Sequence, residues 1–289
     1  MNHLLVLEKI LQMNSFTKAA KALGYTQSSV SQMVASLENE FGIQLLKRSR
    51  QGVQLTPEGE KLYPYIERSL RQYQILQETA GAIRGLETGT VRIGAITSVS
   101  CYWLPDLFKR FQERYPAIEF VLHQGDYGTI VNWIQDGTVD FGLMTADYGD
   151  GLAKRVIHTT EMKAFLPANH PLVKLDRVPI ESLTAEPFIL VEGGGYSEPL
   201  EAFRKAGLTP NVRYRIQDDY TIMAMVEAGL GISMLSELVA SRTNFNVVTK
   251  SVEPQVKRPV AIAYREKEAL PIASQYFMDF LTANQQELI

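Results

Sequence analysis

Gly24 stands between two runs of apolar residues at helical spacing, and few folds accommodate that arrangement. Before it, Phe16, Ala19, Ala20 and Leu23 share one helix face, with Ser15 placed to cap the start. Glycine then ends the helix where a left-handed residue is needed. Thr26 can cap the next helix. There Val30, Met33, Val34, Leu37 and Phe41 recur at i, i+3, i+4, i+7 and i+11. A preceding helix with Leu4, Leu7, Ile10 and Leu11 on one face completes a three-helix unit.

The exposed side of the third helix is unusual. Gln27, Ser28, Ser31, Gln32 and Ser36 are short hydrogen-bonding side chains rather than the usual Lys/Glu mixture. In a helix-turn-helix, small Ala19 and Ala20 allow close approach of the first helix, and the second offers its N-terminal residues to base edges and phosphates. Gln can bond adenine through its amide, and Ser can reach bases or phosphate. An ordinary helical hairpin with a solvated polar face fits this window about equally well. The next segment, "IQLLKRSRQGVQLTPEGE", separates the two. Gly52 reads as a hairpin turn, Val53 and Leu55 alternate on the return strand, and Lys47, Arg48 and Arg50 cluster there. A basic hairpin behind a recognition helix is a wing, suited to phosphate backbone or minor groove.

Residues Ser15 to Glu60 resemble the LysR-type transcriptional regulators. The resemblance lies in the AA-x-x-L-x-x-[ST]-Q-x-x-[VL]-S core, the LE-x-E-x-G that closes the third helix, and the R-x-x-x-G-V-x-LT-x-x-G wing and exit. It implies DNA contacts at Thr26, Gln27, Ser28, Ser29, Ser31, Gln32, Arg48 and Arg50, with Arg48 alternatively tied down in the fold. Gln32 stands where the family often has arginine, and Leu46 where it often has phenylalanine.

Thr56 and Pro57 can open a long helix. Leu62, Ile66, Leu70, Tyr73, Leu76, Ala80 and Ile83 recur along it with a mean step near 3.5, a coiled-coil seam. The stripe needs a partner or its own chain to cover it. The resemblance implies pairing with the same helix of a second subunit, and a dimer of dimers overall. "RGLETGT", Arg84 to Thr90, reads as a hinge.

From Gly89 onward strands and helices alternate: "GTVRIGAI", "WLPDLFKRFQERYP", "IEFVLHQG", "TIVNWIQDG", "VDFGLMT". That pattern predicts a parallel sheet covered by helices. After Thr145 a second α/β half follows, and "PVAIAYR" and "IASQYFMDFLTAN" return to the first. "LPDLFKRFQERYP", "DFGLMT", "NHPL" and "VEAGLGISMLSE" extend the family resemblance over nearly the whole chain. It implies the two-subdomain fold of type II periplasmic binding proteins. The expected organisation is α/β. A winged helix-turn-helix spans 1–58, a linker helix and hinge 59–88, and an effector domain 89–289. Subdomain I covers about 89–161 and 266–289, subdomain II about 162–265.

Ligands of α/β sheets bind at strand C-termini, beside helix N-termini. Thr97, Ser98 and Ser100 follow the first strand and open a helix, more hydroxyls than one cap requires. Thr145 ends another strand. Gly194, with its glycine neighbours, exposes backbone amides before Tyr196 and Ser197. These seven residues are the expected contacts of a small effector, a carboxylate or other small anion. Asp218 or Asp219 reads as a helix cap.

A net charge of −3 makes any nucleic-acid contact local. His3, His123, His158 and His170 are scattered, so no metal or other cofactor is expected. No G-x-S-x-G, H-E-x-x-H or paired C-x-x-C occurs, and no enzyme activity is expected. A lone Cys101 excludes an intrachain disulfide and suits a reducing cytoplasm; it reads as a small buried apolar residue. No signal peptide or membrane span is expected. The competing class is a solute-binding protein or enzyme on the C-terminal fold, with the N-terminal helices serving only for association. Such a protein has no use for a wing or a polar recognition face.

Overall fold

The computed structural model describes residues 1–49, 52–83, 88–240 and 244–288. Its contacts divide the chain into two units, Met1–Ala80 and Gly81–Ile289.

In the first unit, α1 (Asn2–Met13), α2 (Phe16–Leu23) and α3 (Gln27–Phe41) precede the hairpin β1 (Leu46–Ser49) and β2 (Gly52–Leu55), and α4 (Pro57–Ile83) follows. Ser15 caps α2 by accepting from the Lys18 N–H at 3.3 Å, and Gly24 ends it at φ +72°. Val6, Leu7, Ile10, Ala19, Ala20, Val30, Val34 and Leu37 form the core. Phe41 is the exception on the α3 stripe: at the helix end it is 41% exposed.

Two polar side chains set the wing. Glu38 Oε1 accepts from the Leu45 and Leu46 N–H groups at 2.7 and 3.1 Å, which fixes the chain entering β1. Asn14, left-handed at φ +51°, ends α1 and accepts the Val53 N–H at 2.6 Å through Oδ1. Gly52 (φ +112°) is required there, since a Cβ would lie 2.2 Å from Asn14 Oδ1.

The stripe on α4 is covered differently along its length. Ile66 and Leu70 are buried in the core of their own unit, with Leu62 packed beside them. Leu76 is 63% exposed, and the side chain of Ile83 lies outside the described residues. A seam running through all seven positions to a second chain is therefore not available at Ile66 and Leu70. The three-helix head is too small to bury its own apolar face, and α4 supplies the missing cover.

The second unit holds β3 (Gly89–Ala95), α5 (Thr97–Tyr102), α6 (Leu104–Arg114), β4 (Ile118–Gln124), α7 (Tyr127–Asp136), β5 (Phe141–Thr145) and β6 (Ala153–Pro167). It continues with β7 (Arg177–Pro179), β8 (Pro187–Val191), α8 (Glu198–Lys205), β9 (Asn211–Ile216), α9 (Asp219–Glu227), β10 (Ser233–Ser236), α10 (Glu237–Ala240), β11 (Val247–Tyr264) and α11 (Ile272–Ala283).

β3 pairs parallel with β4 and β5, as the βα alternation predicts. The sheet is mixed beyond them. β6 and β11 are long antiparallel partners, β5 joins β11 antiparallel, and β10 joins β6 antiparallel. β11 begins at Val247, well before the "PVAIAYR" run. Its first part pairs with the end of β6, its last part with the start of β6 and with β5. Two strands therefore run through both halves of the unit. β8 and β9 form a separate parallel pair, joined to Ile232 through Phe188. One large core surrounds Phe111, Phe141 and Phe277; a second surrounds Phe188 and Phe203.

Candidate functional site

The N-terminal unit presents α3. Thr26 caps it by accepting from the Ser29 N–H at 3.1 Å, and its hydroxyl lies 2.9 and 2.8 Å from those of Ser28 and Ser29. Gln27 donates from its amide to Ser31 Oγ at 2.8 Å. Thr26, Gln27, Ser28 and Gln32 are exposed, while Ser29 and Ser31 are half-buried. The Gln27–Ser31 bond holds the amide along the helix surface at no burial, so its other groups stay open to a partner. Arg48 lies on β1 opposite Val53. Its side chain, and Arg50 altogether, fall outside the described residues.

The second unit contains a cavity of about 220 Å³ at the C-terminal ends of β3, β4, β8 and β9. Thr97, Ser98, Tyr196 and Ser197 line it. Ser100, Thr145 and Gly194 are not among its lining residues. Ser100 donates to the Thr97 carbonyl at 3.0 Å and accepts from the Gln124 amide, so Gln124 stands between it and the cavity. Thr145 is fully buried, and its Oγ1 receives the Asp147 N–H at 3.4 Å. Gly194 (φ +64°) serves close approach: a Cβ there would lie 2.3 Å from the Asp126 carboxylate. Asp218, not Asp219, caps α9, accepting the Thr221 N–H at 2.7 Å. Cys101 is half-buried, with the Gln124 amide 3.9 Å from its Sγ.

The strongest polar group in the cavity is one the sequence reading passed over. Arg258, on β11, is 5% exposed. Its guanidinium donates to Ser98 Oγ at 3.0 Å, Ser236 Oγ at 2.8 Å and Thr160 Oγ1 at 3.3 Å. Ser98 is thus neither a cap nor free; it holds the cation in place. Across the cavity Glu198, at the start of α8, is buried and accepts from the Tyr127 hydroxyl. Burial pushes the Glu198 carboxyl up, against the pull of Arg258. Burial also pushes Asp219 up to about 6, again against Arg258 and with Asp218 and Glu198 adding to the rise. Tyr127 and Tyr196 are both raised, first by burial, then by nearby carboxylates.

Sequence signals for these groups were weak. Arg258 sits at the edge of an apolar run, as a solvated strand end does. Glu198 follows a helix cap, where acids are common on exposed first turns. Its burial depends on α7 from the other half, which no local pattern records.

Two family models match the chain: the bacterial regulatory helix-turn-helix protein of the lysR family over residues 1–60, and the LysR substrate binding domain over residues 84–286. The chain belongs to the LysR family. Among the relatives of this LysR-type regulator is the HTH-type transcriptional regulator YvbU of Bacillus subtilis, 32% identical over 95% of this chain and 94% of that protein. A full-length OxyR variant from Pseudomonas aeruginosa shares the fold at a TM-score of 0.73, with 22% identity over 98% of this chain and 93% of that one. Full-length CbnR complexed with its target DNA matches at a TM-score of 0.69, with 20% identity and 98% of both chains. As a LysR-type transcriptional regulator the protein joins a DNA-binding helix-turn-helix to an effector-binding domain. Among the described residues, no helix is long and apolar enough to cross a membrane, and no group of His, Cys, Asp and Glu is placed to hold a metal ion.

Proposed function

We propose that this LysR-type regulator reads promoter DNA through Thr26, Gln27, Ser28, Ser29, Ser31 and Gln32, grips phosphates through Arg48 and Arg50, and answers to a small effector in the cavity at Arg258. The buried guanidinium carries the effector part of this reading. A cation taken out of water is stable only with strong polar partners, and hydroxyls replace its hydration in part. An anionic group entering the cavity completes the set, with Ser98 and Thr97 beside Arg258 and Tyr196 and Ser197 on the facing wall. The division into 1–58, 59–88 and 89–289 follows from the same reading, with association of like chains as a dimer of dimers, action in the cytoplasm and no catalytic step.

Effector binding shifts output only by its differential affinity for two arrangements of the protein. The two strands shared by both halves are the natural place for such a difference. The experiment is a gel shift and footprint on DNA taken from the chain's own upstream region, with and without a low-molecular-weight cell extract. Wild-type protein is expected to change its footprint with the extract, and Arg258→Gln to bind the same DNA without changing it. An extract response that survives in a folded Arg258→Gln variant removes Arg258 from the sensor.

A further inference from the structure

Arg258 and Glu198 stand on the cavity wall within electrostatic reach of each other, yet make no direct ion pair. The hydrogen bonds of Arg258 go to hydroxyls, and no carboxylate forms an ion pair with it among the described residues. Glu198 is equally buried, and its carboxyl accepts from the neutral Tyr127 hydroxyl. Opposite charges in a low-dielectric site attract strongly, so side chains free to do so would close on each other. Here they are kept apart. Ser98, Ser236 and Thr160 anchor the guanidinium on the β11 side, and Tyr127 donates to the carboxyl while also interacting with the guanidinium. The arrangement is a fixed dipole lining a small space.

The remaining walls add to the negative pole. The charged lining residues are one cation, Arg258, and four carboxyls, Asp126, Glu192, Glu198 and Asp219. A dicarboxylate that satisfied Arg258 with one end would press its other end against these acids. A purely cationic ligand would leave Arg258 without a counter-charge. A ligand carrying both signs meets both poles.

We infer that the effector is an amino acid or a similarly small zwitterion, its carboxylate held by Arg258 and Ser98 and its ammonium by Glu198 and Asp219. This rests on the effector reading above and sharpens it from an anion to a dipolar ion. The raised Glu198 and Asp219 carboxyls fit the assignment: burial outweighs the pull of Arg258 on each, and a ligand ammonium would offset that burial. The cavity volume suits a metabolite rather than a cofactor, being below the usual range of drug-sized sites.

The test uses the purified full-length chain and three ligand sets: the protein L-amino acids, the 2-oxo acids with the same side chains, and the corresponding decarboxylated amines. Thermal shift finds binders and titration calorimetry ranks them. One or more amino acids are expected to bind at least about tenfold tighter than the matching oxo acid and amine, the value of one charge-assisted contact. Glu198→Gln should lower amino-acid affinity by about tenfold yet leave oxo-acid affinity unchanged or higher, whereas Arg258→Gln should lower both. Should Glu198→Gln fail to fold, Asp219→Asn at the less buried acid gives the same contrast. An oxo acid that binds as tightly as its amino acid, or amino-acid binding untouched by a folded acid-to-amide variant, overturns the zwitterion. Silence from all three sets overturns it too. The effector reading itself falls only if a low-molecular-weight cell extract also leaves the melting temperature unchanged.

Discussion

Asp219→Asn should stabilise the ligand-free protein, and the gain should depend on pH. The Asp219 carboxyl ordinarily titrates near 3.8 and is pushed up to about 6 in the folded protein, chiefly by burial. Because the folded value is raised, the group favours folding most below pH 3.8 and loses that contribution as pH rises to 6. Above pH 6 the full penalty of holding a carboxylate there is present. A shift of about two units at 1.36 kcal/mol each gives roughly 3 kcal/mol, and partial solvent access at the cavity wall reduces it to roughly 1–2 kcal/mol. The amide keeps the shape and removes the charge, while Asp218 continues to cap α9. For a unit of this size the gain raises the melting temperature by about 2–4 °C per kcal/mol. Both tryptophans, Trp103 and Trp133, lie in the Gly81–Ile289 unit, so intrinsic fluorescence reports its unfolding selectively. Melts at pH 8 should show the stabilisation, and at pH 4.5 most of it should vanish. A variant less stable than wild type at pH 8, or a gain equal at both pH values, refutes the electrostatic account.

Four further outcomes follow from the head. Gly52→Ala forces a Cβ onto the Asn14 amide and should destabilise the Met1–Ala80 unit by roughly 1–3 kcal/mol, read by circular dichroism during urea unfolding. Gln27→Ala should cost about 1–3 kcal/mol of discrimination between cognate and altered promoter sites while leaving nonspecific affinity alone; equal loss on all sequences would make Gln27 a phosphate contact. Ile66→Ala should destabilise the head by about 2–5 kcal/mol, because Ile66 is covered by its own unit, whereas Leu76→Glu should leave stability within about 0.5 kcal/mol and lower the mass by light scattering if the exposed part of α4 associates.

The head was largely legible because its information is local. Gly24 at φ +72°, the Thr26 cap and the Val30–Val34–Leu37 stripe all act within one or two turns of the residues that encode them. The fate of α4 was less so. A 3.5-residue stripe states that a face must be covered, and only packing volume decides that Ile66 and Leu70 go to the head. In the cavity, Thr97, Ser98, Tyr196 and Ser197 were accessible to reasoning because strand-to-helix turns announce themselves. Arg258 was not: its bond to Ser98 joins residues 160 positions apart, and only the return of β11 beside α5 brings them together. Glu198 illustrates the same limit, since nothing near it in the chain distinguishes a solvated first-turn acid from a buried one.

The two strands that pass through both halves also govern how the second unit can be made. Ribosomes deliver the chain from its N-terminus, and β5 waits for its antiparallel neighbour: Met144 meets Ala261 only after more than a hundred further residues have emerged. Until then β5 has β3 on one side and an open hydrogen-bonding edge on the other, and β6 has both edges open before β10 and β11 arrive. Open edges in a nascent chain are sites of mispairing between neighbouring copies on a polysome. A stop codon or cleavage that removes β11 would therefore do more than shorten the protein. It would leave both halves without one of their two common strands, and the truncated product should accumulate with chaperones or in aggregates while the head, complete by Ala80, still folds.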